Sequence, residues 1–409
     1  LISKNDLFDI IMEIIPQYYK SEVGIGEKIS INIDGDVYVF NSFRKNTPKL
    51  NRLVKFIENN CERFLNIDLN SRSLEKQLIQ RYIVSEWIKI KGYDGNWFEF
   101  FDYCDTIENK TYENSSIGFN FIYSPNEVVD SISILKDAKK QKILDVLTES
   151  QYTYFKMGKD WKFIAYEQIH LSDIYKGNEE YKLLPEFLYP YKHILCDEEC
   201  GITRTKRGDL IIFNKQGIIA SNRKSSWKIY EPLTFKNALV DIFQSSGCQH
   251  YRIACNMVDI VFDLSYRRHG ALIIFDLDET FNDKIQNQGS ILDGTDNILY
   301  SALESSIALI NLNTRFNKDI RKSLILELAS VDGAIVFNKH GKVKSFGSIV
   351  KNHINANMQE GARSTAAVSA YNYGMSPVFK ISSDGEIQIL FSHKCNITNK
   401  IEDRQILFL

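Results

Sequence analysis

The chain has no apolar run near the roughly 18–20 residues that a bilayer span needs, and its amino end lacks the basic-then-apolar order of a secretory signal. It is expected to be cytoplasmic. It begins at Leu1 rather than Met, so a short upstream piece is expected. Cysteine is sparse and odd in number, seven in 409 residues, which fits reduced thiols better than a disulfide framework. His193, Cys196 and Cys200, with Cys248, His250 and Cys255, bring imidazole and thiol together. Their spacing contains no paired Cys-x-x-Cys, so small core residues are expected rather than zinc ligands. Charge of one sign is also missing: 50 Lys plus Arg against 52 Asp plus Glu leave −2, which provides no sequence-independent hold on nucleic acid. Neither a Walker-type Gly-x-x-x-x-Gly-Lys-Ser/Thr nor a Gly-x-Ser-x-Gly elbow occurs.

What is there is ordinary globular sequence, 44% hydrophobic and 25% charged, and long enough for two or three cores. Residues 1–150 are expected to form an α+β, sensor-like domain. "KISINIDGDVYVF" alternates about an Asp34-Gly35 turn, and "SLEKQLIQRYIVSEWIKI" repeats apolar residues at helical spacing. Its many Tyr and Phe residues lack basic neighbours and read as core rather than base-stacking platforms. Residues 151–232 are expected to be a second, β-rich sensor-like unit, with a boundary near Glu231-Pro232.

Residues 233–409 alternate helical and strand patterns: helices at 234–246, 253–267, 296–310, 319–330 and 363–373, and strands in "GALIIFD", "GAIVF", "KVKSF", "PVFKI" and "EIQILF". The fold class expected is α/β (α+β), with a C-terminal mixed sheet flanked by helices. Turns at Asn338–Gly341 and Ser383–Gly385 make that sheet partly antiparallel. "GDLIIFNKQG" and "GAIVFNKHG" look alike, and two hairpins with the same turn chemistry account for them without a duplication.

"EGARSTAAVSAYNYG" (Glu360–Gly374) reads as a loop entering a helix. Gly361 permits close backbone approach, the helix start offers unpaired amides, Arg363 adds a planar cation, and Ser364 and Thr365 add hydroxyl donors. The small residues Ala366, Ala367 and Ala370 let the helix pack tightly on a sheet. Two readings stand: an anion site, or a helix capped by Ser364 with Arg363 solvated. "SVDGAIVFNKHGKVKSFGSIV" places Asp332 just before a buried strand and Gly347 at the end of the return strand, where a carboxylate can take a proton or hold Mg²⁺ beside phosphate.

Three segments in order, "RRHGALIIFD", "VDGAIVFNKHGKVKSFGSIV" and "EGARSTAAVSAYNYGMSPVFKISSDGEIQILF", resemble the diadenylate cyclase (DAC) domain over the C-terminal part of the chain. The resemblance implies ATP as substrate, c-di-AMP and pyrophosphate as products, Mg²⁺ or Mn²⁺ as cofactor, and a homodimer or higher oligomer in which two sites meet face to face. It implies Asp332 and Arg363 as catalytic. Gly333, Ala334, Gly347, Ile349, Val350, Gly361, Ala362, Ser364, Thr365 and Ser383 would contact nucleotide, and Asp332 and Asp384 the metal. Where most characterised members carry Arg-His-Arg, this chain has Arg363-Ser364-Thr365, and an acidic pair is replaced by Ser383-Asp384. An altered product, slower turnover, or a nucleotide-binding regulator in a stress or anti-phage response are each compatible with that change.

His269 either orients phosphates or, with Arg267 and Arg268, complements the carboxyl end of helix 253–267. "FDLDET" (Phe275–Thr280) is expected to be a solvated acidic turn.

Overall fold

The computed structural model describes residues 2–15, 18–19, 28–42, 47–69, 71–108, 111–112, 115–131, 133–136, 152–170, 183–247, 250–286, 320–356, 361–394 and 401–408. The chain separates into two compact units, Leu1–Phe235 and Lys236–Leu409.

In the first unit, α1 (Lys4–Ile14) opens on a capping box, with Ser3 accepting the Asp6 amide. α2 (Pro48–Leu65) starts with Thr47 as cap and proline in its first turn, where no amide partner is lost. α3 (Arg72–Ile90) and α4 (Trp97–Glu108) follow. A three-stranded sheet has the order β1 (Tyr18–Tyr19), β3 (Asp36–Ser42), β2 (Lys28–Ile33), and β4 (Thr111–Tyr112) pairs with β5 (Ser115–Ser116). The larger sheet contains β6 (Phe119–Tyr123), β7 (Thr153–Gly158), β8 (Lys162–Gln168), β9 (Cys200–Arg204), β10 (Leu210–Asn214), β11 (Gly217–Arg223) and β12 (Ser226–Ile229), ordered β12-β11-β10-β9-β6-β7-β8. A short helix, α5 (Tyr189–Ile194), precedes β9.

The sequence-based boundary at residue 150 falls inside the span of this sheet, because β6 bonds to β7 on one side and β9 on the other. Residues on both sides of 150 therefore share one core. Its centre is aromatic: Phe100 stacks on Trp161 at 4.0 Å, and Trp97 meets Trp161 edge-on at 5.0 Å. Buried indole nitrogens here find carbonyls: Trp97 Nε1–H donates to Tyr93 and Trp161 Nε1–H to Asn96. Lys91 is buried against Glu231, and burial pulls its ammonium down to about 8.

α6 (Pro232–Ser245) runs across the division between the units. In the second unit, α7 (Tyr251–Arg267) is buried from Ile253 to Tyr266 on every face and ends with Arg268 in the left-handed conformation, a position usually given to glycine. The sheet is ordered β15-β14-β13-β16-β17-β18, with β13 (Ala271–Asp276), β14 (Ala334–Asn338), β15 (Val343–Ser348), β16 (Val378–Ile381), β17 (Ile387–Lys394) and β18 (Ile401–Phe408). Only the β13–β14 pair is parallel, so the sheet is mixed. α8 (Ile320–Ser330) leads into β14, and α9 (Ala362–Asn372) lies against the sheet face carrying Leu272, Ile274, Ala334, Val336, Val378 and Leu390. On the other face, Phe243 of α6 stacks on Phe379 at 5.1 Å and meets Phe275 edge-on at 5.2 Å. α8 is tied to α7 by a buried Lys322–Asp263 ion pair.

The expected helices at 234–246, 253–267, 319–330 and 363–373 appear within a few residues, whereas 296–310 lies outside the described residues. The two look-alike hairpins share a turn in which an asparagine side chain, Asn214 or Asn338, accepts the amide two residues on. Their settings differ, since β10 lies between antiparallel neighbours and β14 has a parallel one. The acidic turn after β13 is not solvated throughout. Asp276 is fully buried, accepting the Thr280 and Phe281 amides and the Lys344 ammonium at 2.8 Å, while Asp278 and Glu279 are exposed.

Candidate functional site

The strand registers gather the candidate residues at one end of the second sheet. β13 and β14 run parallel with Leu272 opposite Ala334, so His269-Gly270 and Asp332-Gly333 both stand where these strands begin. β16 is antiparallel with Ile381 opposite Ala271, which brings its exit, Ser382–Asp384, to the same end. β15 leaves there too, since Ser348 lies opposite Ala334.

Two glycines allow the strand ends to close on each other. Gly333 has φ +108°, and a β-carbon on it would lie 2.4 Å from the carbonyl carbon of Gly347 and 2.8 Å from the Ser348 nitrogen. No side chain fits between those backbones. Gly347 itself has φ +61°.

α9 begins at Gly361, whose φ of +93° turns the chain into the helix. No side chain caps this start, so the reading in which Ser364 caps the helix is not what forms. The Ser364 and Thr365 amides bond back to the Gly361 carbonyl at 3.1 and 3.2 Å, and the Thr365 hydroxyl reaches that carbonyl at 3.4 Å. The positive end of the helix dipole and the earliest amides face outward from the first turn.

Arg363 and Asp332 meet across this end, with Nη2 donating to Oδ1 at 3.2 Å. Asp332 is fully exposed and Arg363 about a third exposed (37%). An ion pair so open to water adds little stability, so both groups retain oxygens and N–H donors for a ligand. The guanidinium lies against Gly270: a β-carbon there would sit 2.5 Å from Arg363 Nη1 and 3.5 Å from the Ser383 amide nitrogen. Arg363, Asp332, Gly270 and Ser383 thus belong to one constellation. His269 Nδ1 lies 3.0 Å from the Ser330 hydroxyl, which donates to the Leu326 carbonyl.

The other candidates divide by depth. Ala334 and Val350 are core side chains beneath α9, and only their backbones reach the sheet end. Ile349 is half exposed, Ala362 is exposed, and Ser364 and Thr365 are half-buried. Ser383 and Asp384 are exposed in the β16–β17 turn, which the Gly385 amide closes on Ser382. Among the described residues, no three His, Cys, Asp or Glu side chains form a metal cage. An exposed carboxylate such as Asp332, beside a helix start without a side-chain cap, has the chemistry that suits Mg²⁺, which is commonly held by one or two carboxylates plus substrate phosphates. Sequence reasoning does not single out Gly270: it stands before the apolar run Ala271–Phe275, and nothing local marks its contact with Arg363.

Residues 258–395 match the family model of the DisA bacterial checkpoint controller nucleotide-binding (DAC) domain. That match lies wholly within the second unit, which is in this stretch similar to a DAC nucleotide-binding domain. Among solved structures, a hypothetical membrane spanning protein from Bacillus cereus aligns at 18% identity over 42% of this chain and 74% of its own, with a TM-score of 0.23. DacA from Staphylococcus aureus, as a double mutant, aligns at 20% identity over 39% of this chain and 89% of its own, also with a TM-score of 0.23. No curated protein matches the sequence. Among the described residues, no helix is long and apolar enough to cross a membrane.

Proposed function

We propose that this chain converts ATP into a cyclic dinucleotide, c-di-AMP, with release of pyrophosphate, in the cytoplasm. The observation that carries the reading is the Asp332–Arg363 pair, an exposed acid and a cation 3.2 Å apart at the uncapped start of α9. Arg363 is suited to fork onto phosphate oxygens together with the Ala362 and Arg363 amides and the Ser364 and Thr365 hydroxyls. Asp332 would accept the proton of a 3′-hydroxyl as its oxygen bonds to the α-phosphorus of a second ATP and the bond from that phosphorus to the pyrophosphate oxygen breaks. Gly333 and Gly347, which let the two strand ends close on each other, would meet the nucleotide through their backbones, Ile349 offers an apolar surface for the base, and Ser383 borders the guanidinium. Asp332 and Asp384 would hold Mg²⁺ or Mn²⁺, which when bound neutralises phosphate charge. Because each domain holds one ATP, the product requires two domains face to face, hence a homodimer or larger assembly. The first unit would then regulate how often the faces meet.

The test is to incubate the full chain with labelled ATP and Mg²⁺ or Mn²⁺ and chromatograph the products. Pyrophosphate and a cyclic dinucleotide, lost in Asp332→Asn, support the proposal. A second reading, a nucleotide-binding regulator without turnover, is favoured by one observation: the cation at the helix start is already engaged by Asp332, and hydroxyls follow it in place of further positive charge. That reading expects an ATP-dependent rise in unfolding temperature with no product under any metal.

A further inference from the structure

We infer that the dipeptide His269-Gly270, at the entry of β13, is the positioning element for both charged groups of the site: Gly270 seats the guanidinium of Arg363, and His269 fixes the turn that carries Asp332. The inference rests on the proposed nucleotide site for its functional consequence, but not for its geometry.

The seat is steric. Any side chain at 270 begins with a β-carbon 2.5 Å from Arg363 Nη1 and 3.1 Å from Cζ, well inside van der Waals contact. What it meets is the far end of a flexible side chain rather than backbone, and Gly270 lies outside the left-handed region, so alanine fits the main chain without strain. The methyl group therefore displaces the guanidinium and leaves the strand where it is. Since Arg363 reaches Asp332 through Nη2 of the same planar group, moving Nη1 out of its seat rotates the fork away from the carboxylate.

The second half is a hydrogen-bond relay with a defined direction. The Ser330 hydroxyl has one proton and donates it to the Leu326 carbonyl at 2.7 Å, so toward His269 it can only accept. His269 must then carry its proton on Nδ1, 3.0 Å away. This joins the start of β13 to the last residue of α8, two positions before Asp332. His269 is exposed, and its backbone amide also closes α7 on the Leu264 carbonyl, so the residue is held from both sides.

Ligand-free structures of Gly270→Ala and His269→Ala, with ATP titrations of the full chain, test both halves. In Gly270→Ala the guanidinium leaves hydrogen-bond reach of Asp332 with the strand unmoved. ATP binding weakens about ten- to hundredfold, the order expected for one misplaced charge-assisted phosphate contact. In an Arg363→Ala background the same glycine change alters binding by less than about twofold, because its effect acts only through the guanidinium. In His269→Ala the turn at Ser330–Asp332 shifts. His269→Asn, which keeps a donor at the Nδ1 position, restores binding, and His269→Gln, which keeps one at Nε2, does not. The inference is overturned if Arg363 still contacts Asp332 in Gly270→Ala, if the glycine and arginine changes multiply, or if Gln rescues where Asn fails. A wild-type chain with no ATP affinity defeats the proposed function instead, and the two ligand-free structures still decide the positioning role.

Discussion

Gly333 is where the geometry of the sheet end can be tested most severely. A β-carbon there meets backbone on the facing strand, 2.4 Å from the Gly347 carbonyl carbon, 2.7 Å from its oxygen and 2.8 Å from the Ser348 nitrogen. Carbon atoms in favourable contact are about 3.5–4.0 Å apart, so the start of the β14–β15 ladder must open by about 1 Å. Overpacking of this kind costs roughly 1–3 kcal/mol, and a non-glycine residue held at φ +108° adds roughly 1–3 kcal/mol of strain. Gly333→Ala is expected to destabilise the second unit by about 2–6 kcal/mol. Gly347→Ala is the control. Its β-carbon would find only ordinary contacts, 3.4 Å to Val331 and 3.5 Å to the Asp332 carbonyl, and a φ of +61°, which costs roughly 1–2 kcal/mol. Hydrogen exchange of amides in β14 and β15, measured on the full chain, separates the two. Equal protection in Gly333→Ala and Gly347→Ala would refute the close backbone approach, and with it the placement of Asp332.

Three further outcomes are expected. Asp332→Asn should leave the unfolding midpoint within about 2 °C, since its ion pair is water-exposed, while abolishing product formation; a large loss of stability would mean that the carboxylate is structural. Asp276→Ala should cost about 3–5 kcal/mol in urea unfolding of the second unit, because it removes the fully buried carboxylate that the Lys344 ammonium and the Thr280 and Phe281 amides share. The Lys91 ammonium, pulled from 10.5 to about 8 by burial, releases its proton earlier in the folded state than in the unfolded one. The unfolded chain therefore binds more protons between these values, and stability from this group rises with pH from about 8 to 10.5. The slope approaches about 1.4 kcal/mol per pH unit. Urea unfolding of the wild type against Lys91→Met/Glu231→Gln across pH 7–10 should show that slope only in the wild type.

Much of the second unit was legible in advance because its signals are local. Asn338–Gly341 and Ser383–Gly385 carry the residues their turns demand, and the apolar runs of β13 and β14 announce buried strands. The glycine at 361 ahead of a small-residue run marks a helix start, and the cap proved to be Gly361 and not Ser364. The tertiary structure alone decided which of these pieces meet. Asp332 and Arg363 are 31 positions apart and come within 3.2 Å only because β13 pairs with β14 in parallel and with β16 in antiparallel register. Neither the seat at Gly270 nor the burial of Asp276 has a local signature, since each depends on a side chain delivered from elsewhere, Arg363 in one case and Lys344 in the other. The single core spanning residue 150 is of the same kind, a pairing of β6 with strands far along the chain. Backbone propensities and turn chemistry act over a few residues and can be read in order; strand pairing closes long loops, and its partner choice is fixed by the whole core at once.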